Sequence, residues 1–255
     1  MYICIAGKNK CAVNALKLII KNKIKKSNIL VLPNNSDKGK DTWQPSLKRF
    51  AKKNGIRIVK QTQLYSVRNL ILFSLEYEKI IDLNKFRSKS LYNLHFSLLP
   101  KYRGCHTNFL QIYNGEKYSG VTLHQMDKGI DTGPIIDQIK FKIKINDTAY
   151  DNYKKLMFVA VNLFKKNFTK IINKKYVLKK QILSKGNYFS RKSVNYNKII
   201  SVKFKKSSLK THNKIRSLIF PAYQYPLVNE VRVSKSIYKN KKIYLTAATD
   251  YKSKY

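Results

Sequence analysis

The first third of the chain alternates between continuous apolar runs and segments whose apolar residues recur at helical spacing. The apolar runs are typical of strands buried on both faces, and the helical segments lie between them. Strand, turn and helix repeated in this order predict an α/β fold of Rossmann-like type with a parallel sheet. The predicted strands cover residues 2–6, 28–32, 56–59 and 70–74, and the predicted helices cover residues 12–25 and 46–54.

The second half of the chain predicts one long helix and a smaller β-containing region. A half-exposed strand over residues 135–145 leads to a cap at residues 146–148 and a helix over 149–172. A short helix at 209–219 and two strands at 227–233 and 242–245, joined by a Lys/Asn turn, follow. We therefore predict two domains, residues 1–183 and residues 184–255.

Polar residues gather in the central stretch that begins LYNLHFS. Asn93 and His95 lie two positions apart, and the period of a strand places both side chains on one face. Pro100 ends this strand, and a second predicted strand, 120–126, leads into a glycine-rich loop that carries Asp131. Taken singly, each residue also has an ordinary structural explanation: a core histidine, a turn asparagine, and an aspartate that holds its own loop.

The two motifs in this stretch, NxHxSLLPxYRG and DxGxDTGxI, together resemble the formyltransferase family that uses 10-formyltetrahydrofolate. The resemblance runs through most of the chain and is strongest over residues 70–155. It implies a Rossmann-like formyltransferase domain with a small C-terminal β-containing extension. It also implies that Asn93, His95 and Asp131 are the catalytic residues and that 10-formyltetrahydrofolate is the formyl donor.

These three side chains are chemically sufficient for formyl transfer to an amine. Asn93 can donate its amide to the oxygen that becomes negative, and His95 can accept a proton from the amine. Asp131 can orient the imidazole. The proton for the leaving nitrogen comes through His95 or through water. No metal and no covalent nucleophile is required, so Cys105 is interpreted as a residue that lines the site.

The resemblance also implies binding residues for the folate and for the acceptor. The expected folate contacts are Ser74, Leu75, Glu76, Tyr77, Ser97, Leu98, Leu99, Pro100 and Asp127. The expected acceptor contacts are Asn9, Arg103, Gly104, Cys105, His106, Thr107, Tyr223 and Gln224. Asn9 is equally well explained as a plain turn residue, and the aromatic turn that holds Tyr223 is equally well explained as a structural proline turn.

The formal net charge of the chain is +40, which by itself suggests a nucleic-acid or membrane-surface partner. The charge is mostly lysine, however, and the lysines are spread over almost every segment among many Asn, Ile and Tyr residues. We interpret this pattern as dispersed surface charge, and a polyanionic partner remains the alternative.

Apolar runs and cysteines bear on where the protein works. No apolar run approaches the roughly 20 residues that span a bilayer, and the first ten residues do not form a signal peptide. The 3 cysteines have no metal-binding spacing, so no metal site is expected. We predict a cytoplasmic protein with reduced thiols and no membrane partner.

Members of the family act on initiator methionyl-tRNA, on glycinamide ribonucleotide or on nucleotide-linked amino sugars. The segment after Lys185 is short for a separate barrel domain, and YFSRK resembles the family's link into its C-terminal part, which the purine enzyme typically lacks. We therefore expect a dTDP-linked amino-dideoxy sugar, such as dTDP-4-amino-4,6-dideoxyglucose or its 3-amino relative, as the acceptor. The expected roles are O-antigen or lipopolysaccharide synthesis and homodimerisation through the C-terminal strands. The alternatives are methionyl-tRNA formyltransferase and a basic nucleic-acid-binding module.

Overall fold

The structure is a computed structural model that describes residues 1–248. Its strands are β1 Tyr2–Gly7, β2 Ile29–Pro33, β3 Arg57–Ile58, β4 Leu70–Leu75, β5 Ser90–His95, β6 Arg103–Gly104, β7 Tyr118–Gln125, β8 Ile135–Lys142, β9 Tyr188–Phe189, β10 Ser201–Val202, β11 Leu227–Val228, β12 Val231–Lys239 and β13 Lys242–Ala247. Its α-helices are α1 Asn9–Lys21, α2 Leu47–Lys53, α3 Thr107–Tyr113, α4 Ala149–Ile172, α5 Tyr196–Ile199 and α6 Leu209–Leu218. Short 3-10 helices cover Lys26–Asn28, Gln61–Leu64, Leu83–Lys85, Leu183–Lys185 and Arg191–Ser193.

The main sheet has 7 strands in the order β3-β2-β1-β4-β5-β7-β8. The first five of these pair in parallel, and β7 pairs antiparallel to β5. Strand order reverses between β1 and β4, which is the position where open α/β sheets bind ligands at the carboxyl ends of their strands. The predicted α/β fold of Rossmann-like type, with a small C-terminal sheet, is confirmed.

The apolar runs of the sequence form strands because both faces of the sheet are covered. All six residues of β4 are buried, and so are five of the six residues of β1. Phe73 of β4 lies 5.0 Å from Phe164 of α4 and 5.5 Å from Tyr92 of β5, measured between ring centroids. Aromatic packing of this kind adds to burial and makes the central strands a rigid support.

Helix α4 begins and ends where the sequence predicts. Thr148 Oγ1 accepts a hydrogen bond from Asp151 N, and the Asp151 carboxylate in turn accepts from Thr148 N. This reciprocal pair satisfies backbone donors that a helix start leaves unpaired. Helix α1, in contrast, begins at Asn9 and ends at Lys21, three to four residues before the predicted helix at each end.

The C-terminal sheet has 4 strands in the order β10-β11-β12-β13. The prediction of one strand over residues 227–233 is wrong, because the chain turns back at Asn229 and Glu230, whose φ angles are 44° and 72°. Two consecutive residues with positive φ make a tight hairpin turn, so β11 pairs antiparallel with β12. The predicted turn between β12 and β13 is confirmed at Asn240 and Lys241.

The chain divides into two compact units that interleave in sequence. The first comprises residues 1–103, 120–139 and 157–187, and the second comprises residues 104–119, 140–156 and 188–248 of the described chain. The sequential domain boundary at residue 183 stays a prediction. Within the described chain, no helix combines the length and the apolar character that crossing a membrane requires.

Candidate active site

Strand β5 presents Asn93 and His95 on one face, and both side chains meet Asp131. Asn93 Nδ2 donates to Asp131 Oδ1 at 3.1 Å, and His95 Nδ1 lies 3.4 Å from Asp131 Oδ2. All three residues belong to the first unit. The three predicted catalytic side chains are therefore brought together by the fold, at the carboxyl end of a central strand.

The hydrogen on the His95 ring is placed by its backbone partner. His95 Nε2 lies 2.7 Å from the carbonyl oxygen of Tyr102, and a carbonyl oxygen only accepts, so Nε2 carries the hydrogen. In the neutral ring, Nδ1 then carries a lone pair, and this lone pair faces the Asp131 carboxylate. One added proton at Nδ1 turns this contact into a charge-assisted hydrogen bond. His95 is therefore arranged as a base whose protonated form Asp131 stabilises.

The loop after β7 is built to hold Asp131 in an unusual backbone conformation. Asp131 has φ of 55°, and the backbone oxygens of Asp131 and Gly133 accept from Gln181 Nε2 at 3.0 and 2.6 Å. Asp127 Oδ1 accepts from Gly129 N and from Thr132 Oγ1. Since these bonds determine the path of the loop, they also determine the direction of the Asp131 carboxylate. Asp127, one of the predicted folate contacts, takes part in the hydrogen bonds that hold this loop.

The segment Ser97–Pro100 forms a firmly held wall beside β5. Thr122 Oγ1 donates to Ser97 O at 2.6 Å and accepts from Leu99 N at 3.0 Å. Gln138 Nε2 donates to Leu99 O at 3.0 Å. Ser97 and Leu99 are buried, and the peptide between Leu99 and Pro100 is cis. This wall contains the predicted folate contacts of residues 97–100. It is rigid, largely apolar and next to Asn93 and His95.

A second polar group lies where β1, β2 and β4 end. Asn9 and Glu76 both have positive φ, and Asn9 Nδ2 donates to Glu76 Oε2 at 3.2 Å. Asn34 Nδ2 donates to the backbone oxygen of Glu76 at 2.9 Å. Tyr77 donates its hydroxyl hydrogen to Gln61, and burial together with nearby Glu78 raises the pKa of Tyr77 to about 12. The fold therefore joins Asn9, a predicted acceptor contact, to Glu76, a predicted folate contact.

Arg103 carries one side-chain donor that has no hydrogen-bond partner in the described part of the chain. Its backbone nitrogen donates to Asn187 O at 3.0 Å, which ties the loop to residues that follow α4. Its side-chain Nε is buried and has no hydrogen-bond partner within residues 1–248. An unsatisfied buried donor on a cation is costly, and an anionic ligand removes that cost.

The next residues along the chain belong to the second unit and are tied there to the segment 188–196. Cys105 N donates to Phe189 O at 2.8 Å, and His106 Nε2 donates to Arg191 O at 2.9 Å. Gly104 has φ of 88°, and a Cβ there would lie 2.2 Å from Phe189 O. Glycine is therefore required for this close approach. Thr107 begins helix α3.

The aromatic turn at residues 220–226 holds itself together. Phe220 N donates to Gln224 O at 3.0 Å, and the Gln224 side chain donates to Leu218 O at 3.4 Å. The ring of Tyr223 is exposed and packs against Phe220. Of the two predicted acceptor contacts in this turn, Gln224 uses its side-chain amide on the last residue of α6, and Tyr223 presents its ring to solvent.

Two side chains that complete the site escaped the sequence analysis. His124 lies opposite Asn93 in the register of β5 and β7, and its Nε2 is 3.3 Å from Asn93 Nδ2. Gln181 holds the Asp131 loop from 50 positions further along the chain. One feature of the sequence could have identified His124, because it is a histidine in a strand that leads into the loop of Asp131. No feature of the sequence identifies Gln181, because its hydrogen-bond partners are backbone atoms.

The class of protein follows from this fold, from this site and from the family comparison. The model of the family described as formyl transferase matches residues 1–167. The chain belongs to this family, whose members are enzymes that take the formyl group from 10-formyltetrahydrofolate. The predicted family is confirmed.

Two solved structures are similar over nearly the whole chain. The N-formyltransferase from Helicobacter canadensis, solved with folinic acid and dTDP-3-aminofucose, is 46% identical with a TM-score of 0.89 and covers 94% of this chain and 89% of that one. WlaRD, a sugar 3N-formyl transferase solved with dTDP and 5-N-formyl-THF, is 48% identical with a TM-score of 0.89 and covers 94% of this chain and 87% of that one.

A curated relative shares only part of its length. The bifunctional polymyxin resistance protein ArnA of Wigglesworthia glossinidia brevipalpis is 36% identical over 171 residues, which are 65% of this chain. The chain spans 26% of the length of that protein.

Proposed function

We propose that this protein transfers a formyl group from 10-formyltetrahydrofolate to the amino group of a dTDP-linked amino-dideoxy sugar. Formyl transfer is supported by the arrangement of three side chains: Asn93 donates to Asp131, and His95 Nδ1 lies 3.4 Å from the same carboxylate with a lone pair that can take up one proton. The acceptor rests on the identity of 46% and 48% with two sugar N-formyl transferases over 94% of the chain. Because both relatives concern 3-amino sugars, we propose the 3-amino position over the 4-amino position.

The residues present fit the folate donor. The buried Ser97 and Leu99 hold the segment in place, and the half-buried Leu98 and Pro100 are the apolar side chains against which a fused ring can pack. The segment adjoins the strand that carries Asn93 and His95. The donor, when bound, supplies the formyl group. Ser97–Pro100, Ser74–Tyr77 and the Asp127 loop would hold it.

The side chains then divide the chemistry among them. Asn93 donates its amide hydrogen to the oxygen that becomes negative as the new C–N bond forms. His95 Nδ1 takes the proton that the attacking amine loses, and the carboxylate of Asp131 stabilises the resulting imidazolium. The protonated imidazole would then return this proton to the departing nitrogen. One proton, taken up and given back, balances the reaction.

Arg103 is the proposed contact for the diphosphate of the acceptor. Its buried Nε has no hydrogen-bond partner in the described part of the chain, and a guanidinium binds phosphate oxygens in a fixed geometry. Asn9, Gly104, His106, Thr107, Tyr223 and Gln224 are proposed to contribute to the same substrate, and Cys105 to line it. The product would enter a surface polysaccharide such as O-antigen or lipopolysaccharide, and we place the enzyme in the cytoplasm.

A salt series tests the acceptor and separates it from charged initiator tRNA. With a dTDP-3-amino sugar, KM should rise only gently with salt, since one diphosphate and one or two cations are involved. Binding of tRNA would instead weaken as a power of salt concentration, with an exponent of roughly 0.7 to 0.9 per phosphate contacted. Turnover is measured on the 3-amino sugar, the 4-amino sugar and the tRNA. Formylation of the tRNA with both sugars inert would overturn the proposal.

We also propose a homodimer formed through the C-terminal strands. Strand β13 is the edge of its sheet, and it exposes 53% of Tyr244 and 38% of Leu245. Edge strands with exposed apolar residues pair readily with another copy. Sedimentation at micromolar concentration should show a dimer, and Tyr244→Lys with Leu245→Lys should give monomer. Phe158→Lys is the control, because Phe158 is 68% exposed on helix α4 and should leave the dimer intact. A monomeric wild-type protein would contradict this proposal.

A further inference from the structure

We propose that His124 is a positioning residue that holds the amide of Asn93 ready to donate to the reacting oxygen. This inference rests on the proposed formyl transfer. His124 lies on β7, directly opposite Asn93 in the sheet register, and is 2% exposed. Its Nε2 is 3.3 Å from Asn93 Nδ2, and its Nδ1 is 3.1 Å from Gln125 O.

The orientation of the Asn93 amide follows from the acceptors around it. A carboxylate only accepts, so the group 3.1 Å from Asp131 Oδ1 is the NH2 of Asn93 and not its oxygen. The second hydrogen of that NH2 faces His124 Nε2, which must then supply a lone pair. His124 satisfies this requirement as the neutral tautomer with its hydrogen on Nδ1, where Gln125 O accepts it.

The result is one continuous series of hydrogen bonds across the site. It runs from Gln125 O through His124 to Asn93 and on to Asp131. His95, which donates to Tyr102 O, joins this series at Asp131 only when its Nδ1 carries a proton. Both hydrogens of Asn93 are committed in this arrangement, one to a carboxylate and one to a neutral imidazole. The hydrogen bond from Asn93 to the imidazole is longer than the one to the carboxylate, and its acceptor is uncharged. Asn93 therefore gives up the bond to His124 when it donates to the oxygen that becomes negative.

The charged and titratable groups that face His124 are few. Asp131 Oδ1 lies 3.5 Å from His124 Nε2, and His95 lies on the other oxygen of the same carboxylate. A cationic His124 would donate to Asp131 and would present a hydrogen to Asn93, which disrupts the amide orientation. The neutral form is therefore the one that positions Asn93.

Two substitutions test the acceptor role of His124. His124→Leu keeps a similar side-chain volume and removes the lone pair, so kcat should fall about 10- to 100-fold, the usual cost of losing a residue that orients a reacting group. KM for 10-formyltetrahydrofolate should change less than about twofold, because the folate wall is untouched. His124→Gln restores an amide oxygen as the acceptor and should recover most of kcat. Tyr118→Phe is the control, because Tyr118 lies on the same strand β7, is 46% exposed and has no part in the proposed hydrogen-bond series.

A double-mutant cycle separates positioning from a merely structural role. In the Asn93→Ala background, His124→Leu should have no further effect on kcat, because there is no amide left to orient. Equal losses in both backgrounds, or wild-type kcat in His124→Leu, would overturn the proposal. Thermal melts of all variants report folding, and if His124→Leu fails to fold, the cycle is run with His124→Met. The cycle uses whichever amine the wild-type enzyme formylates, so an error in the proposed acceptor is seen separately in the wild-type assay.

Discussion

Replacing His95 with asparagine is expected to lower kcat by at least about 100-fold, the usual range for loss of a general base. The asparagine amide reaches the position of Nδ1 and not that of Nε2, so the hydrogen bond to Tyr102 O is lost as well, and thermal melts check that the fold is kept. What is lost is the lone pair at Nδ1 beside Asp131, which is the proposed acceptor of the proton that the amine loses. Single-turnover assays with saturating acceptor and folate measure this loss directly.

The His95 prediction needs a histidine control that lies outside the site. His212 is buried in the second unit, where its ring bonds to Ser236 Oγ and to Ile145 O, and burial lowers its pKa. His212→Asn should affect the melting temperature more than kcat. Near wild-type turnover in His95→Asn would remove the assignment of His95 as the base.

Replacing Asp131 with asparagine is expected to be at least as damaging as replacing it with alanine, although asparagine is the closer match in shape. The oxygen of the new amide can accept from Asn93, and its NH2 then faces His95 Nδ1. That NH2 would donate to the lone pair that serves as the base and would block it. An Asp-to-Asn change beside a catalytic histidine costs about 10⁴ in kcat in serine proteases, and we expect roughly 10³ here.

The Asp131 variants are compared with the wild-type protein both in kcat and in melting temperature. Asp131→Asn should melt within a few degrees of wild type, because Gln181 bonds to the backbone of the loop and not to the carboxylate. Asp82→Asn is the matched control, since Asp82 caps a short 3-10 helix away from the site and asparagine caps equally well. If Asp131→Asn keeps more than about a tenth of wild-type kcat, the arrangement of protons proposed here is wrong.

Much of the fold was predictable because its signals are local. The continuous apolar runs of β1 and β4 predict strands, because a strand of a parallel sheet is covered on both faces and needs apolar side chains on both. The bounds of α4 were predictable from its cap at Thr148. The break of the predicted strand at Asn229 and Glu230 was not predictable, because neither residue is a glycine and their positive φ depends on the return of β11 along β12.

The sequence by itself determined that Asn93 and His95 share one face of a strand, because side chains alternate along every strand whatever surrounds it. It also determined, through its two motifs, the family to which the chain belongs. Only the tertiary structure decided which atoms meet: the register that sets His124 opposite Asn93, the αL backbone that aims Asp131, and the reach of Gln181 to its loop. These contacts join residues that lie far apart in the chain, and hydrogen bonds to backbone atoms leave no pattern of side chains in the sequence. Which atoms of Asn93, His95 and His124 donate and which accept follows from those contacts alone.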